Sequence, residues 1–301
     1  MRILIVASGN AGYVTPFIRD QVKSLNKINI QTEYFLVKGS GVLGYLKNLQ
    51  RLKKVIASFK PDLIHAHYGL SGLLASLQRR IPVVVTFHGS DINDPKERKY
   101  SVLASKLCRK AIFVSPELAN LIHFKNPEVI PCGVDMDVFY PMDQTTARNK
   151  MKLEEDKKYI LFSSSFANEV KNYPLARSAV ELLDDRNVEL IELKGFSRTE
   201  VSILMNAVDC VLMTSKTEGS PQFIKEAMAT NTPIVSTDVG DVKRVVGNTK
   251  GCFVSLSNKE DLSQNLIGAL RFKGRTNGRD SMAPYDNKSV ALKLSKLYKA
   301  I

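Results

Sequence analysis

No stretch of this 301-residue chain approaches the ~20 consecutive apolar residues that a membrane-crossing helix requires. Its opening, Met1-Arg2-Ile3-Leu4-Ile5-Val6-Ala7, is apolar only briefly before glycine-bearing sequence begins. It therefore reads as a first strand and not as a cleaved export signal, so the expected compartment is the cytoplasm. Cysteine is scarce. Cys108, Cys132, Cys210 and Cys252 are far apart and form no CxxC pair, which points to buried thiols and argues against bridges or metal ligands. Short repeats and low-complexity tracts are absent as well. Acidic residues are in short supply, 30 Asp and Glu against 43 Lys and Arg, for a formal charge of +13. Such a surface favours anionic partners such as nucleic acid, acidic phospholipid or phosphorylated small molecules, and it also serves solubility. A nucleic-acid binder would need clustered base-stacking aromatics or a recognisable module, and the sequence offers neither. No nucleic-acid partner is expected.

What is present is ordinary globular composition, 44% hydrophobic and 24% charged, in a chain long enough for two cores. Short apolar runs alternate with amphipathic segments. Runs rich in β-branched residues occupy 3–7, 32–37, 63–66, 83–87, 112–114 and 129–131, with helix-like stretches at 16–25, 42–59, 70–78 and 98–109. Continuous apolar strands separated by helices are the mark of a parallel sheet covered on both faces. The alternation restarts with strands at 159–162, 188–193, 210–213, 233–236 and 252–254 and helices at 174–183, 199–207, 221–229 and 259–270. The polar segment 140–156 reads as a linker and 273–289 as a loop. The expected fold class is thus α/β, with two doubly wound Rossmann-like domains facing across a cleft: an N-terminal domain over 1–141 and a C-terminal domain over 142–301 that includes a closing helix, 289–301.

The most informative segment is Thr217-Glu218-Gly219-Ser220-Pro221-Gln222-Phe223-Ile224-Lys225-Glu226-Ala227-Met228. It follows a strand and opens a helix, with Ser220 suited to the N-cap and Pro221 to the first helical position. Amides at such an end attract a phosphate or a sugar oxygen. Glu218, Gln222 and Glu226 are spaced by four, so polar groups line one side, while Phe223, Ile224, Ala227 and Met228 suit the core. Gly9-Asn10-Ala11-Gly12, after the first strand, is a glycine-bearing turn able to approach an anion, yet it is no full GxGxxG, and a plain strand-to-helix turn would look the same. His88 stands at the end of a strand, where doubly wound folds place ligands. His65 and His67 also follow a strand end; two histidines at i, i+2 with no third ligand make a poor zinc site, so packing or contact with a bound substrate is favoured.

The two glutamates, with seven residues between them, resemble the paired-glutamate motif of the retaining family 4 glycosyltransferases of GT-B fold. Further pieces resemble that family in its own order: Thr86-Phe87-His88-Gly89-Ser90-Asp91 its histidine loop, Phe113-Val114-Ser115-Pro116-Glu117-Leu118 a later strand and helix, Ile130-Pro131-Cys132-Gly133-Val134-Asp135 the end of its N-terminal domain, then Leu193-Lys194-Gly195 and Asn206-Ala207-Val208-Asp209. The resemblance implies an enzyme that moves a sugar from a nucleotide-sugar donor to a saccharide or lipid-linked acceptor, in polysaccharide or glycolipid synthesis. It implies that Glu226 meets the donor ribose and Glu218 the sugar hydroxyls, aided by amides of Gly219–Phe223 (Gly219, Ser220, Gln222 and Phe223, with Pro221 shaping the turn). Lys171 would meet the diphosphate, with Ser165 and Gly12 nearby, and His88 would lie beside the transferred sugar. Gly9, Asn10 and Asp91 would face the acceptor side. No obligatory metal and no cofactor are implied. One departure stands out: many relatives carry an arginine six residues before the lysine, where this chain has Ser165, leaving Arg177 and Arg198 as candidate replacements.

Residues 42–59 read as one amphipathic helix with an apolar stripe of Leu43, Leu46, Leu49, Leu52, Ile56 and Phe59 and a basic surface of Lys47, Arg51, Lys53 and Lys54. Such a helix covers its own sheet or lies on an anionic membrane, at the inner face of the cell membrane in this case. Two rival functions share the architecture, a nucleotide-sugar epimerase or hydrolase and a catalytically degenerate assembly subunit; Ser165 is the feature that favours the latter.

Overall fold

A computed structural model describes residues 1–301 and divides them into two compact units, Met1–Gly133 with Asn287–Ile301, and Val134–Asp286. The N-terminal unit is built on a six-stranded parallel sheet: β1 (Arg2–Ser8), β2 (Gln31–Val37), β3 (Leu63–His67), β4 (Val83–Phe87), β5 (Lys110–Phe113) and β6 (Glu128–Val129), in the order β2-β1-β3-β4-β5-β6. Its helices are α1 (Pro16–Lys27), α2 (Gly41–Leu46), α3 (Leu49–Phe59), α4 (Gly69–Ser76), α5 (Ser90–Asn93), α6 (Pro95–Leu107) and α7 (Pro116–Leu121). Successive side chains of a strand point to opposite faces. On β1, Leu4 and Val6 therefore enter one core with Leu52, Ile56 and Phe59 of α3, while Ile3, Ile5 and Ala7 enter another with Ile18, Val22 and Leu25 of α1. Both faces are dry, which is why the strand sequence is an unbroken apolar run.

The C-terminal unit repeats the plan with five parallel strands, β7 (Lys158–Phe162), β8 (Val188–Glu192), β9 (Cys210–Met213), β10 (Ile234–Thr237) and β11 (Cys252–Ser255), ordered β11-β10-β9-β7-β8. Helices α8 (Gln144–Met151), α9 (Tyr173–Glu181), α10 (Arg198–Ala207), α11 (Gln222–Ala229), α12 (Val242–Val246) and α13 (Lys259–Arg271) surround it. The chain ends in α14 (Asn287–Lys299). In both sheets the second strand lies on one side of the first and the third on the other. That reversal puts a topological switch point between β1 and β3 and another between β7 and β9. Open α/β sheets bind ligands outside the carboxyl ends of the strands at such points.

Four expectations change. The closing helix does not join the C-terminal domain: Val290, Ala291, Leu294 and Tyr298 of α14 pack on Ile3, Ile5, Leu63, Val84 and Ile112, completing the sheet face that α1 covers only in part. The boundary falls at 133/134 and not at 141/142. Segment 140–156 is no bare linker, because it contains α8, capped by Asp143, whose carboxylate accepts from Thr146 N at 2.8 Å, and anchored by Arg148, buried and paired with Asp209 at 2.8 Å. Helix 42–59 is two helices. Asn48 is buried at the break, donating from Nδ2 to the carbonyls of Lys38 (2.8 Å) and Gly44 (2.9 Å), so Leu43 is turned out of the stripe and is 75% exposed. The loop 273–289 holds two short 3-10 turns, Gly278–Ser281 and Ala283–Tyr285. No helix is long and apolar enough to cross a membrane.

Candidate active site

The β7/β9 switch point gathers the charged residues singled out in the sequence. The loop after β7 ends in a 3-10 turn, Glu169–Lys171, started by Asn168, whose side chain accepts from Val170 N at 3.2 Å. Lys171 is pinned at its own carbonyl, which accepts from the Thr214 hydroxyl at 2.9 Å. Its Nζ reaches across to Glu218 in the loop after β9, 2.5 Å from Oε1. Ser215 donates to the same oxygen at 2.9 Å. Both partners are mostly buried, with side chains 20% and 17% exposed, so the charges meet where water screens them little.

A second pair engages the other motif glutamate. Arg198 is the first residue of α10, whose start is fixed by a capping box between Ser197 and Glu200. Its Nη1 lies 3.1 Å from Glu226 Oε1, and its guanidinium stacks over Phe139 at 4.9 Å from the ring centroid. Of the two candidate replacements for the missing arginine, Arg198 thus meets one of the two motif glutamates. Arg177 does not: it pairs with Glu181 one turn along α9, exposed to solvent. Ser165 carries no charge but is bound, its hydroxyl donating to Glu192 Oε1 at 2.7 Å. That bond and a second from the Phe166 amide hold the Glu192 carboxyl below its usual range.

The turn between the glutamates departs from expectation in one respect. Helix α11 begins at Gln222 with Pro221 in the capping position, and no side chain caps it. Ser220 turns elsewhere and donates to Asp241 Oδ2 at 2.6 Å. Glu218 therefore lies off the helix, and only Gln222 and Glu226 share a helical face. Gly219 lies in the turn itself, and Phe223 is buried with the core residues of α11.

In the N-terminal unit, loop 9–12 follows β1. Gly9 is required by contact: a Cβ there would lie 2.9 Å from Leu36 Cβ. Asn10 makes a reciprocal pair with the Gly39 backbone, both bonds 2.9 Å, so its amide serves the loop itself. Gly12 is exposed at the turn, its amide donating to the Gly9 carbonyl at 3.1 Å. Next to the switch point, His65 and His67 of β3 and His88 just after β4 stack in a column, with centroids 4.5 Å and 5.2 Å apart. His65 Nδ1 meets the Tyr298 hydroxyl at 2.5 Å and its Nε2 meets Thr86 Oγ1 at 2.7 Å. His67 Nδ1 and His88 Nε2 are 2.9 Å apart, and Cys132 Sγ is 3.4 Å from His88 Nδ1. Burial pushes His65 down to about 3 and His67 well below the ordinary imidazole value. Asp91 is only 5% exposed, and its carboxylate accepts from the amides of His88, Gly89 and Gly69, each at 3.0 Å. Burial outweighs those bonds and pushes it up to about 6. With both oxygens so engaged, Asp91 shapes the backbone of the histidine loop instead of presenting a carboxylate to a ligand.

Sequence reading missed the fully buried Lys225, the Arg148–Asp209 pair, the Cys132–His88 contact and the part played by Tyr298. For Lys225 the signal was present, a lysine flanked by the core-facing Phe223, Ile224, Ala227 and Met228.

Comparison with known proteins bears on the same segments. The Glycosyltransferase Family 4 model matches residues 13–138, and the Glycosyl transferases group 1 model matches residues 172–271. TuaC of Bacillus subtilis, assigned as a teichuronic acid biosynthesis glycosyltransferase, is 23% identical over 83% of this chain and 76% of its own length. A D-inositol 3-phosphate glycosyltransferase of Mycobacterium marinum is 25% identical over 72% of this chain and 57% of its own. Among solved structures, the sucrose-phosphate synthase of Thermosynechococcus elongatus superposes with a TM-score of 0.82 at 16% identity, covering 100% of this chain and 98% of that one. HepE of Anabaena, solved in complex with UDP, gives 0.74 at 15% identity and covers 100% of both chains.

Proposed function

The chain belongs to glycosyltransferase family 4 and has the GT-B fold, and from that premise we propose that it transfers a sugar with retention of anomeric configuration from a nucleotide-sugar donor bound on the C-terminal unit. The observation that carries this reading is the meeting of Lys171 and Glu218 across the β7/β9 switch point. Glu226 accepts hydrogen bonds from the donor ribose, and Glu218 reads the hydroxyls of the transferred sugar, since a carboxylate accepts from two hydroxyls at once. Lys171 binds the diphosphate. As the bond from the anomeric carbon to the phosphate oxygen breaks, negative charge grows on the leaving group, and a fixed cation there stabilises the transition state. Arg198, the candidate replacement that meets a motif glutamate, adds positive charge to the donor side, which favours an active enzyme over a degenerate assembly subunit. The acceptor hydroxyl attacks from the face the diphosphate leaves, and its proton passes to the departing phosphate oxygen.

The acceptor is a saccharide or a lipid-linked saccharide received by the N-terminal unit, where His88 stands at the carboxyl end of β4. The exposed basic face of α3, with Lys53 and Lys54, suits peripheral contact with an anionic membrane. The assignment of TuaC to teichuronic acid biosynthesis supports a polysaccharide product. The test is a reaction run in EDTA with a panel of α-linked nucleotide sugars and saccharide acceptors, with the product's anomeric proton read by NMR. An α-linked product is expected; a β-linked product overturns the retaining assignment.

A further inference from the structure

Ser220 is gripped from two directions by opposite charges. Lys225, next to Glu226 on α11, is fully buried, and its Nζ donates to the Ser220 carbonyl at 3.3 Å. The Ser220 hydroxyl donates to Asp241 Oδ2 at 2.6 Å, and Asp241 is 1% exposed. A buried ammonium and a buried carboxylate are each costly unless bonded and compensated. Keeping both around a single serine fixes that serine's place. The backbone behind it is equally tight. Gly240 has φ +57°, and a Cβ there would lie 2.6 Å from the Gly219 carbonyl oxygen and 3.1 Å from that of Glu218. The loop after β10 is therefore pressed directly on the turn that carries Glu218. Below it, Thr237 Oγ1 donates to the Ser215 carbonyl at 2.9 Å, tying the end of β10 to the start of the same loop.

We propose that Lys225 and Asp241 are positioning residues for glycosyl transfer, clamping Ser220 so that the Glu218–Pro221 turn holds its carboxylate and amides ready for the donor. They act through the turn and touch no substrate. The proposal rests on the donor-site reading above.

Three variants of the full-length protein test it. Lys225→Met keeps the apolar stem and removes the charge, Asp241→Asn removes the carboxylate charge, and Ser220→Ala removes only the hydroxyl. The last serves where loss of a buried charge prevents folding. Amide hydrogen exchange on the free protein reports the turn; calorimetric titration with UDP-, GDP-, ADP- and dTDP-sugars reports the donor. Exchange over 218–222 is expected to accelerate by about tenfold or more while β7 and β8 stay protected. Donor Kd is expected to rise by about tenfold. Glu226→Gln should weaken the donor without accelerating exchange, and Lys225→Met with Asp241→Asn together should do less than the sum of the two, because both act on Ser220. Unchanged exchange in Ser220→Ala and Lys225→Met overturns the clamp whatever the donor does. Faster exchange with unchanged Kd overturns its role in positioning and leaves the donor site standing. A wild type that binds none of the sugars overturns the donor reading and the positioning role with it.

Discussion

The two units share one topology and solve opposite electrostatic problems. Each sheet has the strand order second, first, third, and each gathers its distinctive side chains toward the carboxyl ends of its central strands. In the N-terminal unit those side chains are held neutral or are wholly consumed by backbone. All four histidines of the chain lie there, and three of them form the column from Tyr298 to Cys132. In the C-terminal unit there is no histidine, and the switch point is made of ion pairs, Lys171 with Glu218 and Arg198 with Glu226. The fold supplies a place for a ligand, and the side chains decide which ligand. Paired charges can be traded for a charged donor and its leaving diphosphate, whereas imidazoles held neutral by burial, as at His65 and His67, suit an uncharged sugar or hydroxyl.

The largest effect separating the two units on stability is expected at Asp91. Asp91→Ala strips acceptors from three buried amides and should cost about 2–4 kcal/mol, read as a fall in urea midpoint, because each orphaned donor carries a desolvation cost. A cost under about 0.5 kcal/mol would mean that water replaces the carboxylate freely.

A smaller and slower effect comes with pH. His65 sits at about 3 and His67 well below 6.5 in the folded protein, so the unfolded chain takes up their protons first, and their stabilisation, complete above about 6.5, is lost on acidification. Asp91 works the other way. Raised to about 6 from 3.8, it contributes stability present below about 3.8 and lost as pH rises through about 6. Between about pH 6 and pH 4 the proton taken up by unfolded His65 offsets the one held by folded Asp91, and His67, also lowered by burial, tips the balance, so the N-terminal unit should lose stability on acidification. Hydrogen exchange corrected for its intrinsic pH dependence should show β3 and β4 losing protection faster than β7 and β9. Equal loss in both units would erase the contrast.

Much of this was legible in the sequence because parallel strands buried on both faces leave continuous apolar runs, and those runs fixed eleven strands to within a few residues. The paired glutamates and Lys171 were legible because their spacing is a motif. What stayed hidden was long-range. The home of α14 depends on which sheet face lacks cover, a fact no local pattern records. The helix within 140–156 is polar because Arg148 faces Asp209, sixty-one residues on. The break at Asn48 comes from backbone carbonyls that fold back onto one side chain, and Ser220 looked like a helix cap because nothing nearby reveals Asp241.

The central claim is that the ion-paired switch point of the C-terminal unit holds the donor. The direct measurement is calorimetric titration of wild type, Glu226→Gln and Lys171→Met with UDP-, GDP-, ADP- and dTDP-sugars. One nucleotide class is expected to bind wild type, and each substitution to weaken it by about tenfold or more, the loss of at least one charge-assisted hydrogen bond. Binding of equal strength in all three proteins would contradict the claim.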